Sequence, residues 1–393
     1  MTYRHKYLRL LTLLAIVICS AAAHGRVTVG AERTDVYLPM LKGKRVALLS
    51  NHTGVVGREH TLDVLLRNGV NVVKIFAPEH GFRGTADAGK KIDNTIDSRT
   101  GIPVKSLYGL KETSSTPASM LKDVDVVVCD MQDVGLRFYT YYITMLKVMN
   151  WAAAQGKEFI VFDRPNPLGM SVDGPVLDMS LTSGVGKLPI PVLHGLTLGE
   201  MARMIAGEGW LRNGRTLDLR VVPCEGYTHS TRYRLPVAPS PNLKDMKAVY
   251  LYPSTCFFEG TVMSLGRGTD MPFCVYGHPD MKGCTFSFTP ESRPGATNPP
   301  CKGQKCYGRD LRSVTDDEAI AQGLNLEYVI DAYRNAGMKG KKFFTPFFDL
   351  LAGKRTIRTL IEQGKSADEI RATWADDVSR FRALRSKYLI YPE

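Results

Sequence analysis

The residues able to do chemistry in this chain fall in four short clusters, each directly after an apolar run. Glu79, His80 and Arg83 place a carboxylate, an imidazole and a guanidinium within five residues, interleaved with Gly81 and Gly84. The run before them, 70–76, is rich in β-branched residues and reads as a buried strand. Asn51 follows a second such run at 45–50. Asp130 and Gln132 follow a third, at 125–129, which leads through Arg137 to Tyr139 and Tyr141. Asp163, Arg164 and Asn166 follow a fourth, at 158–162. In an open α/β sheet, ligands bind outside the carboxyl ends of the strands, so the four clusters are expected to converge on one edge. Later loops add His194, Asn242, Glu259 and Arg267.

Carboxylates with amides and aromatic rings suit a carbohydrate, because acids and amides hydrogen-bond hydroxyls and rings stack on pyranose faces. Glycoside hydrolysis needs one carboxyl group to protonate the leaving oxygen and a second group to stabilise or attack the anomeric carbon. Glu79 is the expected general acid, with the raised pKa that role requires; Glu259 and Asp130 are the other candidate carboxylates. Arg83, Arg137, Arg164 and Arg267 offer something a neutral sugar does not need, bidentate binding of a carboxylate or phosphate. Each residue also has a plainer reading. Asp130 and Asp163 can cap the next element or pair with Arg137 or Arg164. Tyr139, Tyr141 and His194 can be packing residues, and Glu259 with Arg267 a simple ion pair.

Other chemistries lack their signatures. There is no G-x-S-x-G elbow and no cysteine beside an evident base. Without H-E-x-x-H or paired Cys/His ligand spacing, no metal is expected. Without G-x-G-x-x-G after a strand or a Walker loop, no nucleotide cofactor is expected.

The elements that must position these residues alternate in type. Strands at 45–51, 70–76, 104–109, 125–130, 158–162 and 217–223 are separated by helices at 61–68, ending near 122, at 143–155 and from Thr197 to about 207. Thr197 and Glu200 form a capping-box pair. Alternation with unbroken apolar strands predicts an α/β fold, a parallel sheet covered on both faces. Residues 188–195 read as extended. From about 235 the chain turns rich in Pro and Gly, then helical again near 326–336, 354–363 and 366–386. The expected organisation is a Rossmann-like domain at 24–234 and a smaller α+β auxiliary domain at 235–393.

The chain has 393 residues, 44% of them apolar and 23% charged, and a formal charge of +12. Its basic residues are scattered and no nucleic-acid motif is present, so the charge by itself assigns no partner. Arg4, Lys6 and Arg9, an apolar run at 10–19 and Ser20-Ala21-Ala22-Ala23 read as a signal peptide at 1–23. Export is therefore expected, to the periplasm, with lipidation at Cys19 disfavoured by Ile18 before it. No later segment is apolar enough for stable membrane insertion after cleavage. Of the cysteines beyond Cys19, Cys129 lies in an apolar run as a small core residue. Cys301 and Cys306 flank four residues in a loop and are spaced for a local disulfide.

The runs P-E-H-G-F-R-G (78–84), T-G-I-P-V-K-S-L-Y-G (100–109), D-x-Q-D-V-G-x-R-F-Y-T-Y (130–141), D-R-P-N-P-L-G (163–169), H-G-L-T-x-G-E-M-A (194–202) and E-G-T-x-x-S-x-G-R-G-T (259–269) carry a resemblance. Together they resemble the exo-β-N-acetylmuramidase (NamZ-type) family, over nearly the whole chain after residue 23. The resemblance implies a Rossmann-like domain, an auxiliary domain and an active site in the cleft between them. It implies release of N-acetylmuramic acid from the non-reducing end of peptidoglycan fragments, with muramic-acid-terminated glycans or muropeptides as substrates. It also places the catalytic glutamate of the P-E-H-G motif at Glu79. The lactyl ether of muramic acid supplies the carboxylate that the arginines would bind. Two rival functions share this inventory: a non-catalytic periplasmic protein binding an anionic sugar, and a cell-wall esterase or amidase.

Overall fold

The computed structural model describes residues 26–79, 81–83, 94–110 and 113–393. The signal-peptide reading, Cys19 and His80 lie outside the described residues. Six strands run parallel in the central sheet: β1 (Arg45–Ser50), β2 (Asn71–Ala77), β3 (Pro103–Ser106), β4 (Val126–Asp130), β5 (Glu158–Phe162) and β6 (Leu219–Val222). Their spatial order is β3-β2-β1-β4-β5-β6, with Thr95–Ile96 pairing antiparallel on the β3 edge. This is the doubly wound order in which the chain reverses direction across the sheet beside β1.

Helices α1 (Thr34–Leu41), α2 (Thr61–Arg67), α3 (Thr116–Leu121), α4 (Tyr141–Ala154) and α5 (Leu198–Gly207) accompany the strands. The alternation of side chains along each strand divides the core in two. Val46, Leu48, Val126, Val128, Ile160 and Phe162 pack with Tyr37 and Leu41 of α1 and Leu62 and Leu65 of α2. Ala47, Leu49, Val127, Cys129, Phe159 and Val161 face the other way, against α4 and α5. Because both faces are buried there, the central strands β1, β4 and β5 carry no polar alternation, which is the pattern read from the sequence.

Helix α6 (Met246–Thr255) opens the C-terminal half. A three-stranded antiparallel sheet follows, of β7 (Val275–His278), β8 (Phe286–Phe288) and β9 (Cys306–Asp310), in the order β7-β9-β8. The chain then continues through α7 (Asp316–Gln322), α8 (Glu327–Asn335), α9 (Pro346–Ala352), α10 (Arg355–Glu362), α11 (Ala367–Ala372) and α12 (Ala375–Arg385). Leu251, Phe257, Phe258, Ile330, Ile361 and Trp374 belong to the same apolar cluster as α4 and α5. The smaller region is therefore packed onto one face of the large sheet.

Two expectations need adjusting, and a third holds. The helix read at 366–386 is two helices, broken where Trp374 turns its indole N–H to Asp173 Oδ1 at 3.0 Å. The helix read from 143 begins at Tyr141, just after Thr140, whose carbonyl accepts from Ile143 N and Thr144 N at 3.1 Å and closes the first turn. The segment 188–195 is extended, as read, and is held without a regular ladder. It makes isolated bridges from Leu193 to Leu136 and Asp173.

Asp133 carries a pH dependence. Burial pushes its carboxyl up from the ordinary 3.8 to about 7, against backbone N–H groups of Gly135, Val134 and Tyr142 that pull it down. With the folded value above the unfolded one, the folded state binds more protons between these limits. The contribution of this group to stability is therefore full below about pH 4 and is lost as pH rises through about 7. Asp133→Asn keeps an acceptor for Gly135 N, now 2.7 Å from Oδ1, and removes the ionisation. Its melting temperature relative to wild type is expected to climb by a few degrees between pH 5 and pH 8. A difference that stays flat across that range would mean Asp133 does not titrate there.

Candidate active site

Glu79 leaves the carboxyl end of β2 through Pro78, whose carbonyl accepts from Gly81 N at 3.1 Å. Its half-buried carboxylate accepts from Thr140 Oγ1 at 2.8 Å and is hydrogen-bonded to the Tyr108 hydroxyl. Tyr108 follows β3, and Leu107 N bonds Ala77 O at 2.9 Å, which extends the β2–β3 pairing up to the site. Thr140 is the residue before α4, downstream of β4. Segments beyond three strand ends thus fix one carboxylate.

That carboxylate lines a cavity of about 680 Å³ between the sheet edge and the C-terminal loops. Tyr139 and Tyr141 form one wall, their rings 4.6 Å apart and edge-on. Both hydroxyls donate to Pro239 O, at 2.8 and 3.2 Å, and burial pushes both phenols up, so they are neutral at any working pH. Glu259 and Arg267 also line the cavity, joined by an ion pair of 2.6 Å, with the guanidinium 5.0 Å from the Phe273 ring. Asn242 donates from Nδ2 to Gly295 O at 2.8 Å and so ties down a strap at 295–300 that closes one side. A second cavity, of about 740 Å³, is lined by Arg26, Glu32, Arg164 and Arg232. Its carboxylate Glu32 is committed to Arg26 and to Val29 N, so the first cavity is the candidate site.

Of the residues singled out in the sequence, Glu79, Tyr139, Tyr141, Asn242, Glu259 and Arg267 line this cavity. Asn51 sits just behind it. Its Oδ1 accepts from Thr53 N and Oγ1 at 3.0 and 2.6 Å, and its side chain stands against the Tyr141 hydroxyl. The others are placed elsewhere, for identifiable reasons. Asp130 is fully buried; both its oxygens are taken, by Arg164 Nε and Nη2 at 2.5 and 3.0 Å and by the Thr61 hydroxyl. Arg164 also donates to Val55 O, so this pair knits the loops beyond β1, β4 and β5. Gln132 donates to Asp133 O and Pro165 O.

Asp163 accepts from Thr197 Oγ1, Tyr391 Oη, Gly199 N and Arg164 N, and anchors the start of α5 to the C-terminal tail. Asn166 bonds Leu168 N and Leu196 O and shapes its own turn. His194 accepts from Leu196 N, and burial lowers its imidazole to about 3, which keeps it neutral. Arg83 is exposed and paired with Asp97. Arg137 is fully buried; it donates to the carbonyls of Pro175, Ile190, Leu351 and Ala352. It binds protein backbone rather than a substrate carboxylate.

Sequence reasoning passed over Tyr108 and Thr140, the two hydroxyls that hold Glu79. A signal for Tyr108 was present, since it too follows a strand and ends a motif. Thr140 lies in the motif of Tyr139 and Tyr141, but nothing local points a threonine at a carboxylate more than sixty residues away.

Comparison with known proteins adds an independent line. Residues 46–247 match the family model described as exo-beta-N-acetylmuramidase NamZ, N-terminal, and residues 250–391 match its C-terminal counterpart. The peptidoglycan beta-N-acetylmuramidase NamZ of Bacillus subtilis (strain 168) is 39% identical over 382 residues, covering 90% of this chain and 89% of that protein. The crystal structure of a DUF1343 family protein from Bacteroides fragilis NCTC 9343 superposes with a TM-score of 0.87 at 54% identity, covering 94% of this chain and all of that one. A second DUF1343 protein from the same organism gives 0.76 at 30% identity, covering 93% and 99%.

Proposed function

The chain belongs to the exo-beta-N-acetylmuramidase NamZ family, and on that premise we propose that it releases N-acetylmuramic acid from the non-reducing end of peptidoglycan fragments with Glu79 as the proton donor. It is a glycoside hydrolase of that family. The observation that supports the assignment of Glu79 is its position: a carboxylate at the carboxyl edge of a parallel sheet, half-buried, fixed by two hydroxyls and open to a sugar-sized cavity walled by aromatic rings. Protonation of the glycosidic oxygen lets the aglycone leave as the anomeric carbon takes on positive charge. Glu259 is the other expected carboxylate that lines the cavity and is assigned to stabilise this charge. Asp130, with both oxygens bonded and no access to the cavity, is assigned to structure. The test is release of free N-acetylmuramic acid from a MurNAc-β-1,4-GlcNAc disaccharide by the wild-type protein; saturable binding with no sugar released would refute it.

The lactyl ether distinguishes muramic acid from glucosamine by one carboxylate. Of the four arginines considered, Arg267 is the one that lines the cavity, and it is assigned to this group. Its pairing with Glu259 and its seat on Phe273 orient the planar fork. Charge-assisted hydrogen bonds contribute about 1.5–3 kcal/mol. Arg267→Met is therefore expected to lower kcat/KM on the muramic-terminated disaccharide by about 10- to 100-fold. The same change should have little effect on a substrate whose terminal sugar lacks the lactyl group. Equal losses on both substrates would remove Arg267 from recognition.

Export also belongs to this reading. Cleavage near Ala23 would deliver the enzyme to where murein fragments are. N-terminal sequencing of the protein recovered from the periplasm would give a start near residue 24, whereas a start at Met1 in the cytosolic fraction would exclude it.

A further inference from the structure

The strap that closes the cavity ends at Cys301, which packs against the small apolar cluster that contains Cys306. We propose that Cys301 and Cys306 form a disulfide that staples this strap to the three-stranded sheet. The strap begins where Asn242 holds Gly295 O and lines the cavity through Pro300. Near its end, Pro299 lies against Gly268, the residue after Arg267. A Cβ added there would come within 2.6 Å of the proline ring and 2.4 Å of Glu291 O, so the contact admits only glycine. At the strap's end a turn folds the chain back. Gln304 N donates to Cys301 O at 3.0 Å, and Gly303 N donates to Pro290 O at 2.8 Å. This brings Cys301 onto Cys306, the first residue of β9, which is in register with Phe288 of β8.

The two thiols share a small apolar cluster with Val275 and Phe288, and they donate to Val262 O at 3.8 Å (Cys301) and Gln304 O at 3.6 Å (Cys306). Cys301 has φ +58°, a left-handed conformation that a residue with a Cβ adopts at a cost unless its surroundings impose it. A covalent link to Cys306 is such a constraint.

The chemistry is thiol–disulfide exchange with a small-molecule or protein disulfide as oxidant. Cys306 is buried and Cys301 is half-buried, so Cys301 is the reachable partner. The neighbouring Cys306 side chain also lowers its thiol below the ordinary value, which favours the thiolate. The Cys301 thiolate attacks the donor disulfide, forming a mixed disulfide and expelling one donor thiolate. Cys306 gives up its proton to solvent and displaces the second donor thiolate. Two protein thiols are oxidised, and the donor is reduced to two thiols. The disulfide stands independently of the function proposed above. Its expected effect on catalysis, a lower KM through a fixed strap beside Arg267, rests on that function.

The sequence makes the test direct. Trypsin cuts after Lys302 and Lys305, so Cys301 leaves in the peptide 283–302, which also contains Cys284, and Cys306 leaves in 306–309. The reduced full-length protein is exposed to oxidised glutathione, denatured, alkylated with N-ethylmaleimide and digested without reductant. The two peptides are expected joined, lighter than their sum by two hydrogens, with Cys284 alkylated. Cys306→Ser should stall with glutathione on Cys301. Recovery of both Cys301 and Cys306 in alkylated form, or a Cys284–Cys301 link, would overturn the proposal. Muramic-acid release before and after oxidation gives a separate reading: a joined peptide with an unchanged KM would reject the effect on the strap alone.

Discussion

Glu79→Gln is expected to cut the turnover number on MurNAc-β-1,4-GlcNAc by about 10²- to 10⁴-fold, the usual worth of a positioned proton donor. The substitution preserves the shape of the side chain and an oxygen that can accept from Thr140 or Tyr108, so thermal unfolding should stay close to wild type. What it removes is the ability to deliver a proton to the leaving oxygen. The kinetic signature is therefore a fall in kcat and kcat/KM together. A rise in KM at unchanged kcat would make Glu79 a binding residue. Full activity in the variant would move the proton donor to Glu259, the other expected carboxylate on the cavity wall.

Arg137→Met is expected to be the most destabilising of the changes considered, because several buried carbonyls lose their donor at about 1–3 kcal/mol each. The guanidinium joins Pro175 and Ile190 of the large region to Leu351 and Ala352 at the C-terminal end of α9. The last carbonyls of a helix have no intrahelical partner and carry the negative end of its dipole, so a cation is favoured there. The next residue, Gly353, caps α9 at φ +75°, and a Cβ there would stand 2.4 Å from Arg137 Nη2. Burial lowers the guanidinium to about 10, yet it stays charged at neutral pH. Methionine fills the volume but leaves four buried carbonyls without this donor. Denaturant titration should show the loss in the midpoint, while the surviving folded protein keeps its KM. A normal midpoint with a raised KM would return Arg137 to the substrate.

Arg137 and Asp130 show why the sequence led partly astray. Rules about strand ends correctly put Asn51, Glu79, Gln132 and Asp163 on one edge of the sheet. They do not say which side chains there remain open to a ligand. Neighbouring strands lie about 4.8 Å apart, so polar groups at their ends reach one another before they reach a cavity. A buried charge must be paired or hydrogen-bonded, and Asp130 meets that demand with Arg164, Asp163 with Thr197 and Tyr391. These partners are tens to hundreds of residues away, and no local pattern announces them.

What the sequence by itself determined is whatever rests on near neighbours. The β-branched runs make strands, and their lack of alternation makes a sheet buried on both faces. The Thr197–Glu200 box starts α5 as read, and the P-E-H-G loop puts Glu79 at a strand end. The tertiary structure alone decided that Arg267 faces the cavity while Arg83, Arg137 and Arg164 do not, that Tyr108 and Thr140 hold Glu79, and that Cys301 meets Cys306 beside the strap. Those outcomes follow from long-range packing, where each charge settles with whichever partner the fold brings within hydrogen-bond reach as water is excluded.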